Sequence, residues 1–154
     1  MEDAVLTVAK LMAISAETAP KGRGENYITT VIVHGKDLEK LGKEMITYGQ
    51  VTKLDLFVRD GNNILNSQAC VLIGLKACKP LGLNCGACGY ESCGDLDEQY
   101  PADENKDFTG PICLIRTLDM GIALGSAVKT ASIHNVDNRI MYRAGVTALK
   151  LDLI

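Results

Sequence analysis

Ala69-Cys70-Val71-Leu72-Ile73-Gly74-Leu75 is an unbroken apolar run of strand length, as expected of a strand covered on both faces. Working back from it, Ile28 to Val33 is β-branched at every position and reads as a second strand. The segments around them have helical period. Val5, Val8, Ala9, Met12 and Ala16 recur at helical spacing over residues 3–17, and Leu6, Leu11 and Ile14 widen the apolar stripe almost to the full circumference. Pro20 stops that helix. Asp37 is a candidate N-cap for a second helix through Leu38, Leu41, Met45 and Ile46, with Gly49 as its end. Residues 51–68 fit a helix or a strand and stay unassigned, because Asp60-Gly61-Asn62-Asn63 is turn chemistry.

Beyond the strand, Thr117 to Asn135 returns to helix, with Gly121, Ala123, Gly125, Ser126 and Ala127 offering a face for a tight neighbour. Asp137 is placed to cap a last helix through Ile140, Ala144 and Ala148, and residues 149–154 alternate as a terminal strand does. These elements make an α+β fold in one domain over residues 1–154, with residues 78–113 as an inserted cysteine-rich loop. The first helix and the Gly121–Ala127 face are expected to meet a second copy in a homodimer, since the first helix is apolar around most of its surface.

The 154-residue chain carries 16 Lys and Arg against 19 Asp and Glu, a net charge of -3. No two basic residues are adjacent, so no basic field exists for nucleic acid or an anionic membrane surface. Met1-Glu2-Asp3 lacks the basic start of a secretory signal, and no window reaches the ~20 apolar residues of a membrane span. The expectation is a cytoplasmic protein whose core of Ala, Val, Ile and Leu folds without a metal or a disulfide.

Chemistry is concentrated in Cys85-Gly86-Ala87-Cys88-Gly89-Tyr90-Glu91-Ser92-Cys93 and in Gly110-Pro111-Ile112-Cys113, a C-x2-C-x4-C-x19-C pattern. Three thiolates close in sequence can wrap one side of a compact inorganic core, and a fourth from a distant turn can close it. Gly86, Ala87 and Gly89 let the chain curl and aim N–H groups at sulfur, and Tyr90 can shield the site from water. Cys78 can replace Cys113 as the fourth ligand, since three close ligands leave the fourth free to come from either side. Four thiolates also suit structural zinc, although zinc ribbons pair two C-x2-C knuckles and this chain has one. Cys70 reads as a small hydrophobe inside its strand.

Residues 84–93 resemble the 4Fe-4S motif of the corrinoid iron-sulfur protein and of the B subunit of Rnf-type electron-transport complexes, C-x2-C-G-[YF]-x-x-C with one later Cys. Thr18 to Gly24, Arg59-Asp60, the cysteine motif, Asp119 to Ala127 and Asp137-Asn138-Arg139 together resemble an uncharacterised prokaryotic family containing a ferredoxin domain. That resemblance implies a 4Fe-4S cluster on Cys85, Cys88, Cys93 and Cys113. The order of helix ending in Ala-Pro, strand, helix and late Asp-x-Gly-x-Ala helix is also similar to nitroreductases, which implies a nitroreductase-like sheet with flanking helices and a dimer. Flavin binding is not carried over: residues 1–20 contain no arginine to grip an FMN phosphate, and the Asn-x-Gln-Pro-Trp motif is replaced by Lys21-Gly22-Arg23-Gly24.

That Lys21–Gly24 loop is the candidate cofactor-binding segment, two cations and two glycines able to hold a phosphate or, failing that, to form a solvated turn. His34 and His134 stand apart from each other and from any paired carboxylate in sequence, so no catalytic residue is assigned. Glu91, Asp95, Asp97, Glu98, Asp103, Glu104 and Asp107 crowd the loop after Cys93 and are placed to steer a basic redox protein. The sequence thus predicts a 4Fe-4S electron-transfer protein of anaerobic-type metabolism. The alternatives are a flavin-dependent oxidoreductase with an accessory cluster and FMN at a dimer interface, or a zinc-stapled interaction module.

Overall fold

The computed structural model describes residues 1–76, 79–101 and 106–154. In chain order it runs α1 (Glu2–Thr18), a 3-10 turn (Gly22–Gly24), β1 (Ile28–His34), α2 (Gly35–Thr52), α3 (Asp55–Leu65), β2 (Ala69–Leu75), α4 (Cys93–Glu98), α5 (Leu114–Ile133) and α6 (Tyr142–Lys150). The α+β class is as expected. β1 and β2 form an antiparallel pair in the register Ile28–Leu75, Val31–Leu72 and His34–Ala69. A two-stranded sheet is all that the described residues contain, which does not support the nitroreductase-like sheet.

The pair is covered on both faces, each by helices packed on the apolar residues that the strands turn to that side. On one side Val33 and Leu72 pack with Leu38, Leu41 and Met45 of α2, Ile64 of α3 and Ala144 and Ala148 of α6. On the other, Ile28 packs with Ala16 of α1 and Ala123 and Ala127 of α5. The tight neighbour of the small-residue helix is therefore α1 of the same chain. Its glycines are not used for that approach: Gly121 and Gly125 are exposed, and a Cβ at either would meet nothing within 4 Å.

Helix boundaries differ from the expected ones for identifiable reasons. α2 passes through Gly49 to Thr52, because Gly49 is a point of close approach: a Cβ there would lie 2.9 Å from the Phe57 Cβ and the Val58 nitrogen of α3. The left-handed Lys53 ends the helix instead, returning the Leu54 N–H to the Gly49 carbonyl at 2.9 Å. The turn-like residues around Gly61 fall inside α3 for the same reason, since a Gly61 Cβ would come within 2.8 Å of the Gly42 oxygen. Asp37 lies in the first turn of α2, where it still complements the helix dipole, while His34 occupies the N-cap. α6 starts at Tyr142 after Met141, so Asp137 does not cap it, and residues 151–154 follow the helix as irregular chain with Leu151, Leu153 and Ile154 packed on the α2 side of the core.

Asp60 of α3 is 2 % exposed and joins two helices electrostatically. Its Oδ1 lies 2.7 Å from Arg59 and its Oδ2 3.1 Å from Arg143 of α6. Burial raises the carboxyl's pKa, but hydrogen bonds from both guanidinium groups outweigh it and hold the group below the ordinary carboxylate range.

The glycines make a test of opposite signs. Gly61→Ala is expected to destabilise by about 1–3 kcal/mol through overpacking of α3 on α2. Gly121→Ala is expected to stabilise by about 0.5–1 kcal/mol through helix propensity. Urea unfolding measures both, and a destabilising Gly121→Ala would mean that something packs closely on that face.

Candidate metal centre

Between β2 and α5 the chain builds a small apolar core of its own. Leu81, Leu96 and Cys113 are buried in it, with Cys88, Tyr90 and Ile115 packed against them. Local backbone chemistry shapes the loop above. Gly86 and Gly89 both take positive φ, 67° and 90°, and the Gly89 N–H closes the turn on the Gly86 carbonyl at 2.9 Å. Cys88 sits inside that turn. Asn84, itself at φ 47°, accepts the Cys93 N–H on its side-chain oxygen at 2.9 Å and donates its own N–H to the Cys93 sulfur at 3.4 Å. Ser92 starts α4 with a reciprocal capping box, Ser92 Oγ accepting from the Asp95 N–H at 3.1 Å and Asp95 Oδ2 from the Ser92 N–H at 3.0 Å.

Cys113 is the N-cap residue of α5. Burial raises its pKa, yet N–H groups from Leu81, Arg116 and Ile115 on its sulfur and the nearby Arg116 charge together bring it below the ordinary thiol value. Together these influences favour the thiolate, the form that binds metal, over the thiol. Cys70 is the contrast: on β2, its thiol is pushed up to about 11 by burial, as suits a small hydrophobe outside the site.

Beneath Cys113, Arg116 is 1 % exposed. Its Nη1 donates to the Gly22 carbonyl at 3.2 Å and faces Asp119 Oδ2 at 3.5 Å, its Nη2 pairs with Glu25, its Nε reaches the Lys79 carbonyl at 3.5 Å, and its guanidinium lies over the Tyr27 ring at 4.6 Å. Asp119 in turn accepts the Gly22 N–H at 2.8 Å. Sequence reasoning did not single out Arg116, although an Arg and an Asp three apart in an apolar helix were a visible signal.

The Lys21–Gly24 loop belongs to this clamp. Lys21 Nζ closes the end of α1 by donating to the carbonyls of Ala16, Glu17 and Ala19 at 2.7–2.9 Å. Burial lowers its pKa, against opposing attraction from Asp119 and Glu17. Gly22 is tied to Asp119 and Arg116, Arg23 donates to the Leu81 carbonyl at 3.0 Å, and Gly24 turns the chain at φ 70°. These donors join α1 to α5 and to the cysteine loop.

The four candidate ligands share one region without closing on a single point. Cys88 and Cys113 meet in the same small core, Cys93 is held by Asn84, and Cys85 is exposed. No three His, Cys, Asp or Glu among the described residues form a metal-holding group, and Cys78 lies outside those residues. In kind the donors fit an iron-sulfur group: all are thiols, the Cys93 sulfur already receives the Asn84 N–H, and small residues leave the loop room to close.

Residues 109–154, which include Cys113 and Arg116, match the family described as uncharacterised proteins containing a ferredoxin domain (DUF2148). An uncharacterised protein from Archaeoglobus fulgidus is 44 % identical over 152 residues, covering 99 % of this chain and 81 % of the relative. The chain belongs to this ferredoxin-domain family. Family membership points to iron-sulfur electron transfer. No solved structure matches the chain.

Arg116→Met removes the cation opposite buried Asp119 and is expected to cost about 3–5 kcal/mol, as for one partner of a buried pair. Arg23→Ala removes one bond from an exposed side chain and should cost under about 1 kcal/mol. Urea unfolding of the two variants compares them, and equal losses would remove Arg116 from its central position.

Proposed function

We propose that the protein carries a 4Fe-4S cluster on Cys85, Cys88, Cys93 and Cys113 and passes single electrons to and from a protein partner. The observation that carries this reading is Cys113, buried at the start of α5 and packed in one small core with Cys88, within the segment that matches the ferredoxin-domain family. A bound cluster supplies a one-electron centre held by thiolates.

The chain's own residues account for the rest. N–H groups of Leu81, Ile115 and Arg116 offset negative charge at the Cys113 sulfur, which favours the more reduced state. Tyr90, Leu81 and Leu96 keep water from the inner side of the loop. Cys85 and the acids Glu91, Asp95, Asp97 and Glu98 are exposed on the outer side, which suits electron exchange there and electrostatic steering of a basic redox protein. No helix among the described residues is long and apolar enough to cross a membrane.

Metal and sulfide analysis of protein purified without oxygen tests the reading, with about four irons and four sulfides per chain expected. Cys113→Ala should lose most of that iron and Cys70→Ala retain it. Stoichiometric zinc without iron would support the zinc-stapled module instead, and equal iron in Cys113→Ala and wild type would overturn the ligand assignment.

A further inference from the structure

Asn84 stands immediately before the first candidate ligand and is bonded twice to the third. Its side-chain oxygen accepts the Cys93 N–H at 2.9 Å, and its own N–H donates to the Cys93 sulfur at 3.4 Å. These two bonds close a ring over residues 84–93 that contains Cys85 and Cys88. Within the ring, the Gly89 N–H closes a second and tighter turn on the Gly86 carbonyl. Three candidate ligands are thus gathered in one ring by hydrogen bonds of the chain itself.

Residue type at position 84 is narrowly set. Asn84 has φ 47°, in the left-handed region that glycine and asparagine adopt at least cost. Glycine would take the same φ but has no side-chain acceptor for the Cys93 N–H. Aspartate would keep the acceptor but set a negative charge beside a group held by thiolates. Asparagine supplies the left-handed backbone, the acceptor and neutrality together. Its side chain is exposed, so the pairing with Cys93 is not a by-product of core packing. The pairing also serves α4, whose first N–H groups have no partner inside the helix: Ser92 takes the Asp95 N–H and Asn84 takes that of Cys93.

We propose that Asn84 is a positioning residue for the cluster. By tying the two ends of the ring it arranges Cys85, Cys88 and Cys93 in advance and keeps its own N–H on the Cys93 sulfur. The role rests on the 4Fe-4S reading given above. Closing the ring beforehand removes chain entropy that metal binding would otherwise cost, which slows the loss of iron. An N–H on a ligand sulfur favours the more reduced cluster, so the tie raises the reduction potential.

Asn84→Gly separates positioning from backbone conformation, because it relieves the strained φ and removes the acceptor. In the metal-free chain, Cys93 amide exchange followed by NMR should quicken about fivefold, roughly what one hydrogen bond contributes. In cluster-loaded protein prepared without oxygen, iron loss to a chelator should quicken about tenfold and the potential should move to a more negative value, with circular dichroism unchanged. Asn84→Asp keeps the acceptor and should protect the Cys93 amide and retain iron like the wild type. Should Asn84→Gly lose its circular dichroism, Asn84→Ala repeats the test. A role confined to backbone conformation predicts the reverse, with Asn84→Gly equal to wild type or better in exchange, iron retention and potential. That result, or an Asn84→Asp that sheds iron as fast as Asn84→Gly, would overturn the proposal. A wild type free of iron would overturn the cluster reading itself, and this role with it.

Discussion

The structure turns on one buried cation. Arg116 sits in the first turn of α5, almost without exposure, and is held by Glu25, Asp119, two backbone carbonyls and the Tyr27 ring. A guanidinium out of water is costly unless its charge and its N–H groups are matched, and here the two carboxylates and the Gly22 and Lys79 carbonyls do that. The partners come from three separate segments: the loop after α1, the start of the cysteine loop, and α5 itself. Placing the cation therefore fixes how those segments meet.

The candidate site is connected to that clamp through helix geometry. Cys113 and Arg116 are three residues apart, so they share the first turn of α5 and one face of it. The backbone of that turn and the Arg116 charge both act to lower the Cys113 pKa. Arg23 extends the arrangement by donating to the carbonyl of Leu81, which packs with Cys113 in the small core. The loop between α1 and β1 is thus tied to α5 and to the cysteine loop, largely through backbone groups. The cysteine loop in turn owes its local shape to Gly86, Gly89 and Asn84, three residues at positive φ on which larger side chains would be strained.

Much of this was legible in the sequence where a pattern is local. The β-branched run at Ile28–Val33 and the apolar run at Ala69–Leu75 gave strands, and the period of residues 3–17 gave α1, because side-chain alternation and helical spacing are written in adjacent residues. Gly49 and Gly61 were misleading for the converse reason: each looks like an end or a turn, but each serves a contact with a helix elsewhere in the chain. Asp37 and Asp137 were plausible caps whose helices begin elsewhere. The cysteine spacing marked the candidate site directly. Its support did not show, since Arg116 acquires meaning from Gly22, Glu25 and Lys79, more than thirty residues distant in each case.

The central claim is that the first turn of α5 delivers a cysteine ligand to an iron-sulfur cluster, and iron-edge X-ray absorption on the anaerobically prepared wild type and on Cys113→Ser tests it most directly. The account predicts an all-sulfur first shell with iron-iron scattering in the wild type, and replacement of part of that sulfur by oxygen in the variant. A wild-type first shell rich in nitrogen or oxygen, or a Cys113→Ser spectrum indistinguishable from wild type, would contradict it.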